Sequence, residues 1–116
     1  MRLPKFLPPP SRRRPLAVRQ IHGHSMLPVL PPGTFVVGRR WFMRLSPGDV
    51  IIFEHNGKEK IKRLDQLQDD RIFVLGDHSE TSTDSRHFGW LPRELVVAKV
   101  FWPHSPRHRA EGVERS

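Results

Sequence analysis

Cysteine is absent from the 116 residues, and its absence removes two classes of explanation together. No disulfide framework can staple this chain, and no thiolate can serve as nucleophile or metal ligand. Long apolar runs are missing too. None approaches the roughly 18 to 20 residues that span a bilayer. The stretch from Met1 to Val18 is broken by prolines and arginines, so it lacks the apolar centre of about 7 to 15 residues that a secretory signal carries. No sustained 3.6-residue hydrophobic period is present beyond a turn of helix expected near Ser25 to Leu30 or Pro92 to Leu95. With 12 prolines as well, a helical bundle is excluded. Acidic residues are outnumbered 12 to 20 by basic ones, for a formal net charge of +8. Such an excess suits nucleic acid or an anionic membrane surface when it lies on the folded part. Here much of it sits at the ends, in Arg12-Arg13-Arg14 and around Arg107, Arg109 and Arg115, and reads as solvated tails. No nucleic-acid partner is therefore expected, and peripheral membrane contact is kept as an alternative.

What is present is a set of short strands. With 36% hydrophobic and 28% charged residues the chain is globular and long enough for one modest core. Residues 1–16, with Pro8-Pro9-Pro10 and the arginine triplet, read as a flexible arm, 17–103 as one domain, and 104–116 as a disordered tail. Within the domain, β-branched or aromatic runs recur at Val18 to Ile21, Phe35 to Val37, Val50 to Phe53, Lys60 to Leu64, Arg71 to Leu75 and Leu95 to Trp102. Between them stand turn signals: Pro31-Pro32-Gly33, Ser46-Pro47-Gly48-Asp49, His55-Asn56-Gly57-Lys58 and Gly76-Asp77. Asn56-Gly57 is the strongest hairpin signal. Many short strands in one small domain imply an all-β fold, a compact coiled sheet or barrel.

Three segments carry chemistry. In Gly23-His24-Ser25-Met26-Leu27-Pro28, a serine follows a glycine by two positions, an arrangement that lets backbone approach a carbonyl substrate; taken alone, the motif is weak and reads as an ordinary loop serine. In Lys60-Ile61-Lys62-Arg63-Leu64, alternation puts Lys62 on the face of Leu64, where desolvation would lower its pKa, and leaves Arg63 in solvent. The bland alternative is a solvated basic strand face. The run from Gly76 to Gly89, dense in Asp, Ser and Thr, reads as a loop rich in side-chain to backbone hydrogen bonds, closed by an ion pair between Asp84 and Arg86, or simply as a structured surface turn.

Taken in order, Gly23-x-Ser25-Met26-x-Pro28-x-Leu30, Pro47-Gly48-Asp49-Val50-Ile51, Ile61-Lys62-Arg63, and Gly76-Asp77 with Ser82-x-Asp84-Ser85-Arg86-x-x-Gly89 resemble the boxes of type I signal peptidases. The resemblance implies a coiled all-β domain and a Ser-Lys dyad. Ser25 would be the nucleophile and Lys62 the general base. Ser82 would orient the lysine amine, with Asp84 and Arg86 as buttresses. Gly23, Met26 and Pro28 would lie at the substrate and oxyanion side, where the Ser25 N–H does more of the work because Gly23 stands where some members have a hydroxyl. His78 replaces the usual Asn, and Gly33-Thr34 the usual Gly-Asp.

The anchorless, compact form, with Thr83 to Gly89 and Trp102-Pro103, is similar to the small nickel-type superoxide dismutase maturation peptidases. That similarity implies removal of a leader from a protein substrate, no cofactor of the enzyme's own, and a soluble, cytoplasmic location, with a membrane-peripheral one as the alternative. His22, His24, His55, His78 and His87 lack acidic partners at metal-site spacing, so no metal is expected. Other readings are the catalytic domain of a general signal peptidase whose anchor is lost or supplied by a partner, and a non-catalytic basic binding module. A self-cleaving repressor of the LexA type is disfavoured by the lack of DNA-binding helices and of an Ala-Gly scissile pair.

Overall fold

A computed structural model describes residues 15–41, 44–78, 80 and 82–104. Among the described residues seven strands follow one another: β1 (Leu16–Gln20), β2 (Phe35–Arg39), β3 (Val50–His55), β4 (Lys58–Gln68), β5 (Arg71–Leu75), β6 (Leu91–Pro92) and β7 (Val96–Trp102). A short helix, α1 (Ser85–Phe88), precedes β6, and a 3₁₀ turn, Arg93–Leu95, precedes β7. All strands join one antiparallel sheet in the order β1-β2-β7-β3-β4-β5-β6. The protein is all-β, as its strand-and-turn pattern requires. Leu16, assigned to the arm from sequence, is the first residue of β1. The rest of the expected arm up to residue 14, and the expected tail from 105, lie outside the described residues.

The β3–β4 hairpin turns on Asn56 and Gly57, both at positive φ (53° and 75°), with His55 opposite Lys58. Two left-handed central residues give a turn whose twist matches that of the strands, which is why Asn-Gly is favoured there. α1 was not foreseen. Asp84 caps it, its side chain accepting from the Arg86 N–H.

The sheet is rolled. Neighbouring strands lie about 4.8 Å apart, so β1 and β4, separated by three strands in the ladder, would be far apart in a flat sheet. Yet Arg19 on β1 donates through Nε and Nη2 to the two carboxylate oxygens of Glu59 on β4. Small residues on the inner face allow the tight curl. Ala17 stands opposite Gly38, and a Cβ on Gly38 would lie 3.0 Å from the Ala98 side chain and 3.2 Å from the Lys99 carbonyl oxygen.

Rolling buries both faces. One core gathers Ile51, Phe53, Leu64, Ile72 and Val74, with Leu45 and Leu91. On the other side Ile21, Met26, Leu30, Val36 and Val50 pack together, beside Ala17, Ile52 and Ala98. Residues 50–53 are buried without alternation.

This corrects the expectation for Arg63. Its side chain is 1% exposed, not solvated. Nε and Nη2 each donate to Asp77 at 2.7 Å, and Nη1 donates to the Gly48 carbonyl at 2.8 Å. Removing one partner of such a pair strands a buried charge. Asp77→Asn should therefore destabilise the fold by ~3 to 5 kcal/mol, measured by urea unfolding, whereas the double change Arg63→Met with Asp77→Leu should cost much less because neither charge is then left behind.

Candidate active site

Ser25 sits in the loop between β1 and β2. The base of that loop is pinched by two backbone hydrogen bonds, Ile21 N–H to Thr34 O at 2.8 Å and Gly33 N–H to Ile21 O at 2.9 Å. Inside it, Leu30 N–H donates to Met26 O at 2.8 Å, and Met26 and Leu30 plug into the core beneath. The residue after the serine is thus a buried anchor. Ser25 itself is half-buried, and its carbonyl accepts from His78 N–H at 2.8 Å, which ties the loop to the segment that follows β5.

β4 brings the lysine. Its first half pairs with β3 through Lys58 to Arg63, and only from Arg63 onward does it also pair with β5. Among the described residues, the outer edge of Lys58 to Lys62 therefore has no ladder partner. A cleft of about 310 Å³ runs along this edge, walled on the opposite side by the end of β1 and its following loop; Ser25, Met26 and Lys62 all line it. Gly23 and Pro28 are exposed loop residues outside that wall.

Lys62 lies opposite Ile51 and is 7% exposed. Burial lowers its pKa from 10.5 to about 8; Asp84 opposes that shift, while the positive charges of Lys60 and Arg86 add to it. Loss of hydration penalises an ammonium more than a neutral amine, so the direction follows from the position.

Asp84 is the hub of the next layer. It is fully buried, and burial alone would oppose its ionisation. Hydrogen bonds from Arg86, the Gly76 N–H and the Ser82 hydroxyl reverse the balance and bring its pKa down from 3.8 to about 2. Ser82 Oγ donates to Asp84 Oδ2 at 2.8 Å and accepts from Lys62 Nζ at 3.4 Å. Arg86 reaches the same carboxylate through Nε at 3.0 Å, and the Gly76 N–H does so at 2.8 Å.

Gly76 is a site residue that the sequence reading did not single out. A Cβ there would fall 2.1 Å from Ser82 Oγ and 2.8 Å from Ser25 O, so only glycine lets the two segments meet. The signal was present in Gly76-Asp77, but a turn explains a Gly-Asp pair equally well. Ser79 and Thr81 of the same loop lie outside the described residues.

Comparison with known proteins follows the same segments. Residues 58–105 match the family model described as signal peptidase, peptidase S26. The chain is 29% identical to the mitochondrial ATP-independent inner membrane protease subunit 1b of Arabidopsis thaliana, over 70% of this chain and 65% of that protein. Subunit 1a of the same organism is 28% identical over 76% of this chain and 71% of its own length. Signal peptidase I of Bacillus caldolyticus is 39% identical across 48% of this chain and 29% of its own. The chain thus spans about two thirds of the two plant proteins and under a third of the bacterial one. Among the described residues no helix is long and apolar enough to cross a membrane.

Proposed function

We propose that the protein is a serine endopeptidase of the signal peptidase type that removes an amino-terminal leader from a protein substrate, with Ser25 as nucleophile and Lys62 as general base. The observation that carries the reading is that Ser25 and a buried, pKa-lowered lysine line one cleft, along a strand edge without a ladder partner among the described residues. The matched family model and the three relatives support the reaction class.

The chemistry follows from the hydrogen bonds. Ser82 commits its one proton to Asp84, so toward Lys62 it can only accept. The lysine amine therefore donates to Ser82 and turns its lone pair elsewhere in the cleft. In the first step that lone pair takes the Ser25 proton as Oγ attacks the scissile carbonyl carbon. Lys62, now an ammonium, returns the proton to the departing amine as the peptide C–N bond breaks, leaving an ester on Ser25. Water then attacks the ester with Lys62 again as base, freeing the carboxylate product and restoring the serine. Asp84, held by Arg86, fixes Ser82 and through it the amine.

An extended substrate adding to the edge of Lys58 to Lys62 would gain main-chain hydrogen bonds, with affinity coming from backbone and selectivity from the side chains that meet the cleft. The finer assignment, to the precursor of a nickel-type superoxide dismutase, rests on the resemblance of Thr83 to Gly89 and Trp102-Pro103. A general signal peptidase role is the alternative.

The test is incubation with a leader-bearing precursor and with a serine-directed lactam, followed by mass spectrometry. Cleavage at one bond near the precursor's amino terminus, with an acyl adduct on Ser25, is expected. Modification elsewhere with Ser25 untouched would overturn the assignment.

A further inference from the structure

We propose that Lys60 is a positioning residue for this site: an ammonium held on the same strand face as Lys62 that keeps the neighbouring amine in its neutral, proton-accepting form. The inference rests on the peptidase reading above for its consequence, but its physical content does not depend on turnover.

Residues 60 and 62 are alternate positions of β4, so their side chains leave the same face with Cα atoms roughly 7 Å apart. Both line the cleft that holds Ser25. Lys60 is not free to swing away. Its Nζ lies 5.0 Å from the centre of the Phe88 ring and 3.5 Å from His55 Nδ1, and the His55 and Phe88 rings pack on each other at 4.5 Å. The end of β3 and the end of α1 thus clamp the ammonium from two sides. Neither contact supplies a negative charge. The adjacent carboxylate, Glu59, leaves β4 on the opposite side, also borders the cleft, and is bound by both Nε and Nη2 of Arg19.

The carboxylate next to Lys60 is therefore already paired with Arg19, while the Lys60 ammonium makes its own contacts to the two rings. The other charges acting on Lys62 come from the α1 side: Asp84, which favours the ammonium, and Arg86, which both opposes it and occupies the Asp84 carboxylate. His22 borders the cleft from the β1 side. Lys60 acts in the same direction as burial, and it is the one contributor on Lys62's own strand.

The experiment is trace amine labelling of the full chain across pH 6 to 11, with mass spectrometry reporting the extent of modification at Lys62. It is run in the Ser25→Ala background so that catalysis plays no part. Lys60→Met, which keeps the stem over Phe88 and removes the charge, should raise the labelling midpoint of Lys62 by about 0.5 to 1 pH unit. Lys60→Arg, which keeps charge and ring contact, should leave the midpoint in place. With Ser25 restored, the ascending limb of the pH-rate profile should move by the same amount in Lys60→Met and stay put in Lys60→Arg. A midpoint that does not rise in Lys60→Met, or that rises as far in Lys60→Arg, overturns the proposal. Absence of cleavage by the unmodified chain would instead count against the peptidase reading and leaves the labelling result standing.

Discussion

Ser25→Ala should lower kcat/KM on a leader-bearing precursor by about 10⁴-fold or more, more than ~5 kcal/mol of transition-state stabilisation. Alanine removes only the hydroxyl of Ser25, the group that bonds to the substrate, and leaves the backbone N–H in place. Its backbone carbonyl, which accepts from His78 N–H, is retained by alanine, and the loop stays anchored by Met26 and Leu30. Unfolding midpoints should accordingly be close to those of the parent, which separates a lost nucleophile from a lost fold. The check is progress curves by mass spectrometry beside thermal denaturation. A folded Ser25→Ala protein that still cleaves at more than a hundredth of the parent rate would be incompatible with acylation at this residue.

The second large effect belongs to Lys62. Below its pKa of about 8 the amine carries a proton and cannot accept another, so activity should rise about tenfold per pH unit from pH 6 and level off above 8 to 9. Lys62→Arg keeps the charge but holds its proton at every usable pH, so it should be as inactive as Lys62→Met. An imidazole base would also give an ascending limb, and variants tell the two apart. Replacing His22, His24 or His78 by Gln should leave the midpoint of the limb where it is, since no imidazole titrates in the proposed step. A limb that vanishes in any of these, or substantial activity in Lys62→Arg, would remove Lys62 from its role.

The same residue shows what strand periodicity can and cannot convey. Alternation through Lys62 and Leu64 correctly put the lysine on an apolar face, because Lys62 pairs with Ile51 and belongs to that side. Applied to Arg63, it implied solvent, and that was wrong. A period of two says which residues share a face; whether the opposite face is wet depends on what covers it. The unbroken run Val50-Ile51-Ile52-Phe53, all buried, was the local sign that this sheet has no wet face at its centre.

The turns were legible for a different reason. Asn56-Gly57 answers a demand of the backbone at two positions, both at positive φ, and such demands are written in one or two residues. The partner of Arg63 is 14 residues away at Asp77, and the clasp of Arg19 to Glu59 joins residues 40 apart. Neither pairing has a local signature. Gly76 shows the limit: the sequence reads it as a turn glycine, but it takes no positive φ, and the clash a Cβ would make with Ser82 and Ser25 exists only once the two loops have met.

By itself the sequence determined the all-β class, the hairpin turn and the candidate residues Ser25, Lys62, Ser82, Asp84 and Arg86, since each follows from local backbone preference or from motifs read in order. The tertiary structure alone decided that the sheet rolls until β1 reaches β4, leaving a cleft beside the edge of Lys58 to Lys62, which has no ladder partner among the described residues. It also decided that Lys62 loses its water, that Asp84 keeps its charge while buried, and that Lys60 stands clamped beside the site. Desolvation and charge proximity depend on distances through space between segments far apart in the chain, and those distances come into being only with the fold.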